Sequence, residues 1–134
     1  MTDMYDVGDL PDDGMGSDLA VLAARVADET KATDIVVLDV GEVLAITGYF
    51  VVASASNPRL ARTVVESIER AAKDRLDRSP VRIEGLREQR WILVDYGDVI
   101  VHVFVDELRE FYEIERLYRD VARLDWQLRA VTDS

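Results

Sequence analysis

Apolar positions recur along this chain with two different periods, and the changes of period mark out its elements. Leu19, Leu22, Ala23 and Val26 fall at helical spacing behind Ser17-Asp18, either of which can cap a helix, so a first helix is predicted from residue 17 to about Thr30–Ala32. Ile35-Val36-Val37-Leu38 is mostly β-branched, the mark of a strand buried on both faces; Asp39-Val40 continues it and Gly41 breaks it. Residues 42–48 are a connection without a period, and Tyr49–Ala53 reads as a second strand. Asn57 is a favoured cap and Pro58 suits the first helical position. The helix that follows carries Ala61, Val64, Val65, Ile68, Ala72 and Leu76 on one face and stops before Ser79-Pro80.

The C-terminal half holds three more strands: Val81–Glu84, partly exposed, then Trp91–Tyr96 and Val99–Val105. Gly97-Asp98 between the last two suits a type II′ hairpin turn, and the register follows from it. Tyr96 faces Val99, Val94 faces Val101 and Ile92 faces Val103, an aliphatic face expected in the core. The opposite face pairs Asp95 with Ile100, Leu93 with His102 and Trp91 with Phe104, mixing large aromatics with a carboxylate and the only histidine. Asp106 caps a last helix whose stripe of Leu108, Phe111, Ile114, Tyr118 and Val121 continues through Leu124, Leu128 and Val131, so it is expected to extend to the C-terminus. The order α-β-β-α-β-β-β-α predicts one α/β domain over residues 17–134, with a mixed, about five-stranded sheet flanked by helices.

Charge changes this picture at the N-terminus. Residues 1–16 combine Gly8, Pro11, Gly14 and Gly16 with aspartates and show no period, so they are expected to be a disordered acidic arm. The first 18 residues carry six aspartates and no Lys or Arg, more than half of a net charge of −11. Such a chain is repelled by nucleic-acid phosphates; working near RNA, it would dock on a basic protein. With no secretory signal and no apolar stretch of membrane-spanning length, the expected location is cytoplasmic, without membrane contact.

Candidate chemistry is sparse. The absence of cysteine excludes disulfides and thiolate sites, and His102 is the only histidine. His102 with Asp95 and Asp98 is a weak cluster, since the register puts Asp98 in the turn; a histidine bonded to a neighbour is the plainer account. Asp95 and Asp98 could instead hold magnesium as paired carboxylates do, although acids beside a turn are more often simply solvated. Ser54 and Ser56 lie at a strand-to-helix turn without a nucleophile elbow, and no phosphate loop or dinucleotide fingerprint is present. Arg59, Arg62, Arg70 and Lys73 are interleaved with Glu66, Glu69 and Asp74, a solvated mixed face and not a basic stripe. No cofactor is expected. What remains is surface recognition by aromatics set beside charges.

One block is more specific. Trp91-x-x-x-Asp95-Tyr96-Gly97-Asp98-Val99-x-Val101-His102-x-Phe104, followed by Arg109-x-Phe111-Tyr112-x-Ile114-Glu115-x-Leu117, resembles the ribosomal silencing factor (RsfS/Iojap) family over about Leu19–Asp120. Leu38-Asp39, Tyr49-Phe50-Val51-Val52, Arg59 and Glu84-Gly85 agree with it. Gly48 in place of an acid, Asn57-Pro58-Arg59-Leu60 in place of Ser-x-Arg-Gln, and Tyr118 in place of tryptophan depart from it. The resemblance implies a nucleotidyltransferase-like fold without catalysis and a translation repressor. It implies binding to ribosomal protein fourteen of the large subunit, a block on small-subunit joining when nutrients are short, and a homodimer. The partner contacts it suggests here are Trp91, Leu93, Asp95, Tyr96, Asp98, His102 and Tyr112, with Arg109, Glu115 and Phe104 structural or at the interface. The competing readings are a metal-dependent enzyme using Asp95 and Asp98, or a homodimeric module without ribosome contact.

Overall fold

The computed structural model describes residues 10–112 and 114–127, without the side chains of residues 110–112, 115 and 117. Its elements are α1 (Ser17–Glu29), β1 (Thr33–Asp39), α2 (Gly41–Leu44), β2 (Tyr49–Ala55), α3 (Pro58–Leu76), β3 (Arg82–Glu84), β4 (Trp91–Asp95), β5 (Val99–Val105), α4 (Asp106–Tyr112) and α5 (Ile114–Leu117). The five strands form one mixed sheet in the order β1-β2-β5-β4-β3. At its centre β2 and β5 run parallel, and every residue of β2 is buried. A parallel pair needs a crossover, which α3, β3 and β4 supply.

The hairpin register is the one predicted, from Trp91 opposite Phe104 to Asp95 opposite Ile100, with Tyr96 N–H donating to the Val99 carbonyl at 2.9 Å. Gly97 holds the turn at φ 91°. The aliphatic face, Ile92, Val94, Val101 and Val103, packs with α1 and α3 into the main core. Asn57 caps α3 as expected, its Oδ1 accepting from Leu60 N–H at 2.8 Å, with Pro58 next to it.

One expectation is refined and two are corrected. The first strand has both faces covered, with Val37 in the main core and Leu38 in the outer-face cluster, but it does not lie inside the sheet. β1 is the sheet edge, irregular between Thr33 and Val36, and only Val37 and Leu38 among its residues are buried. The uniformly apolar or small β2 takes the central position instead. The C-terminal helix does not continue through residues 118–127. Past Leu117 the chain turns and lies along the free edge of β1, with Asp39 N–H donating to the Ala122 carbonyl at 2.8 Å and Leu124 N–H to Val37 at 2.9 Å. Edge groups left open by β1 outbid a further helical turn. Trp126 secures this tail: its indole N–H donates to the Ile35 carbonyl at 3.2 Å, and its carbonyl accepts from Arg25 Nε at 2.7 Å. Residues 128–134 lie outside the described residues.

The second correction concerns the arm. Residues 1–9 lie outside the described residues, but 10–16 form a strap on the domain. Leu10 packs against the core, and Asp13 accepts hydrogen bonds from the Tyr49 hydroxyl, Met15 N–H and Ser17 N–H. Burial raises the Asp13 pKa, and these bonds outweigh it, bringing it down to about 2. Ser17 and Asp18 therefore do not cap α1 as expected; Gly16 holds the cap position at φ 101°, and Asp13 meets the first N–H from outside. The strap fits because Gly48 has no side chain: a Cβ there would lie 2.6 Å from the Met15 carbonyl oxygen.

These two glycines give a paired prediction. A Cβ on Gly97 meets nothing within 4 Å, so Gly97→Ala should cost only the left-handed backbone strain, about 1 kcal/mol in chemical denaturation. Gly48→Ala should push the strap off, seen as faster amide exchange at residues 13–17 with the sheet still protected.

Candidate functional site

The outer sheet face can be written as rows read straight from the register. One row runs Leu38, Phe50, Ile100, Asp95, Arg82; the next runs Val36, Val52, His102, Leu93, Glu84; the last holds Ser54, Phe104 and Trp91. Helix α4 packs on the β2 and β5 part of this face. Buried there are Leu38, Phe50, Val52, Phe104 and Ile114, with Trp91, Ile100, Leu108 and Tyr118 packed against them. Trp91, Leu93 and Asp95 on β4 are half-buried.

His102 sits in the middle of this face and is only 5% exposed. The Phe50 ring meets it edge-on with centroids 4.9 Å apart, and Phe104 lies parallel to it at 6.2 Å. Its Nδ1 accepts from the Trp91 indole N–H at 3.3 Å. Neutral imidazole that accepts at Nδ1 carries its proton on Nε2, and that nitrogen is buried without a partner among the described residues. Burial lowers the His102 pKa to about 4, so the ring is neutral at pH 7. Trp91 is thereby held at two points: its N–H on His102, and its ring stacked on Phe104 at 5.0 Å. A large aromatic, partly exposed and fixed in one pose, is a preorganised contact.

The structure brings Trp91, Leu93, Asp95, His102 and Phe104 together on this face and separates Tyr96 and Asp98 from them. Tyr96 points into the main core and is 4% exposed; burial, with the Glu69 charge adding to it, pushes its pKa up to about 12. Asp98 ion-pairs with Arg78 at 2.7 Å, and its carbonyl accepts from Gly48 and Tyr49 N–H. Asp95 pairs separately with Arg82 at 3.3 Å and accepts from Gly97 N–H at 2.8 Å. The two carboxylates thus have different cationic partners, and among the described residues no three His, Asp or Glu side chains gather as a metal would need. Arg109, 7% exposed, donates to Ser54 Oγ at 2.7 Å and ties α4 to β2. The side chains of Tyr112 and Glu115 lie outside the described residues. The sequence reading missed Arg78 as the partner of Asp98; the only signal was a lone arginine just past the end of a helix.

No helix among the described residues is long and apolar enough to cross a membrane. The family model described as "Ribosomal silencing factor during starvation" matches residues 16–134. The ribosomal silencing factor RsfS of Bacillus subtilis is 35% identical over 107 residues, 78% of this chain and 87% of its own. A mouse protein named "Mitochondrial assembly of ribosomal large subunit protein 1" is 32% identical over 127 residues, 92% of this chain and 52% of its own. A crystal structure of a Chromobacterium violaceum protein superposes with a TM-score of 0.72 at 30% identity, covering 75% of this chain and 83% of that one. With the outer-face block and the five-stranded sheet in place, the chain belongs to the ribosomal silencing factor (RsfS) family, a family of regulators that act on the ribosome.

Proposed function

We propose that this protein represses translation in the cytoplasm by binding the large ribosomal subunit through that subunit's ribosomal protein fourteen. Seated there, it denies the small subunit its place, and ribosomes fall silent when nutrients are short. The observation that carries the reading is the partly exposed row of Trp91, Leu93 and Asp95 beside the buried His102 stack. Trp91 acts as the apolar anchor and Leu93 widens it. Asp95 exchanges part of its pairing with Arg82 for a Lys or Arg of the partner. His102 is too buried for contact and positions Trp91 instead. Tyr96 and Asp98 hold the hairpin. The net charge of −11 steers the encounter with a basic ribosomal protein. A steric block asks for no bond chemistry, only overlap with the competitor and enough affinity to hold, which a standard interface of roughly 1,600 Å² supplies.

In a sucrose gradient of starved-cell lysate the protein should travel with free large subunits and be missing from joined ribosomes. Trp91→Ala should lower its affinity for purified large subunits by about tenfold or more, as removal of an aromatic anchor does. Asp95→Lys, a change at a half-buried position, checks the same face if the tryptophan variant loses its fold. In a reconstituted reaction, saturating protein should lower the fraction of joined ribosomes, and joining that proceeds unchanged refutes the proposal.

The positioning role of His102 has a pH signature. A histidine whose folded pKa is about 4, against about 6.5 unfolded, binds fewer protons folded than unfolded between those values. Stability should therefore fall as pH drops from 6.5 toward 4 and level off below, by up to about 3 kcal/mol from this group. His102→Phe should flatten that slope. It should also move the Trp91 indole N–H resonance in NMR, because the acceptor is gone.

A further inference from the structure

Among the described residues, three of the four exposed large apolar side chains lie on the strap, on α2 and just beyond it. Met15 on the strap is 57% exposed, Val43 on α2 is 60%, and Ile46 just beyond α2 is 86%. Single exposed aliphatics need no explanation; here Met15 and Ile46 line one groove, and Val43 stands on the short helix that leads into it. The groove holds about 190 Å³ and is lined by Met15 and Ile46 with Thr47 and Asp98 among its walls. Its shape is built, not loose. Ala45 sits at φ 64°, which ends α2 after one turn and leads the chain out through Ile46. Asp13 and Gly48 seat the strap that carries Met15. The Thr47 hydroxyl beneath the groove is buried and has no partner among the described residues.

Charge selects the occupant. No Lys or Arg occurs in residues 1–24 or 32–58. Asp39, whose carboxylate accepts from Gly41 N–H at the groove, and Glu42 and Asp12 are exposed and form no ion pair among the described residues, whereas Asp98 is neutralised by Arg78. An apolar patch inside an acidic rim repels an anionic surface and repels its own copy. It fits a polypeptide segment with an apolar side chain flanked by Lys or Arg. The patch also adjoins the outer face, since Leu44 of α2 packs in the same cluster as Ile100, which stands opposite Asp95.

We propose that Met15, Val43 and Ile46 form a second docking point, taking a basic, apolar-tipped segment of the large subunit beside the Trp91 face. This rests on the ribosome reading above. The test uses the full chain and purified large subunits, with affinity measured by co-pelleting at two salt concentrations. The double substitution Val43→Ser and Ile46→Ser, at exposed positions, should weaken binding by about tenfold with the circular dichroism and melting curve unchanged. Glu42→Lys should weaken it and reduce its salt dependence. Full affinity in the double variant, with affinity lost in Trp91→Ala, overturns the second docking point and leaves the ribosome reading standing. A wild-type chain that does not pellet with subunits ends both. A double variant that binds subunits normally but shifts a dimer to monomer in sedimentation equilibrium makes the patch a self-contact and overturns the proposal.

Discussion

Everything on the outer face depends on the register of β4 against β5. Side chains alternate along a strand, so a slip of one residue at Gly97-Asp98 would turn Trp91, Leu93 and Asp95 toward α1 and α3 and bring Ile92 and Val94 to the surface. Two constraints act together against the slip. Gly97 accepts a φ of 91° that other residues resist. Ile92, Val94, Val101 and Val103 have no exposure at all, and any shift would put them in water.

The tip of the same hairpin also joins parts that are distant in sequence. The Asp98 carboxylate receives Arg78 from beyond α3, and its carbonyl receives Gly48 and Tyr49 N–H at the start of β2. A Cβ on Gly16 would touch Asp98 and Val99, so the strap presses on the tip as well. One turn thus fixes the crossover helix, the central strand and the N-terminal strap relative to one another. Asp98 is more useful here than at a partner's surface, since freeing its carboxylate would strand Arg78 in a partly buried position.

The parts legible in the sequence were those decided by local rules. The Gly97-Asp98 turn set both faces of the hairpin, and Asn57-Pro58 set the start of α3. The parts that were not legible depend on competition between distant segments. Leu124 continues a helical stripe, yet its N–H goes to Val37 because β1 has an open edge that only the folded sheet reveals. Asp13 looks like one more acid of a disordered arm, yet Tyr49 and a side-chain-free Gly48 wait for it across the sheet. At the candidate site, Trp91, Leu93 and Asp95 could be grouped by alternation alone. That Tyr96 sits in the core follows from the same alternation: it shares the parity of Val94 and Ile92, and the register placed it better than the family resemblance did.

The buried stack and the surface charge divide the proposed task between them. Charge at long range raises the rate of encounter and fades with salt, but it orients nothing within a few ångströms. Orientation and residence come from groups that do not have to be ordered on binding. Trp91 meets that requirement because His102 and Phe104 have already immobilised it, while His102 Nε2 is buried without a partner among the described residues. A leucine in place of His102 would pack with less penalty, but it would take away the acceptor of the indole N–H and with it one of the contacts that fix the ring. Burying a histidine among Phe50, Phe104 and Trp91, where desolvation disfavours its charged form, is therefore stability given up within the fold so that one side chain at its surface keeps a single pose.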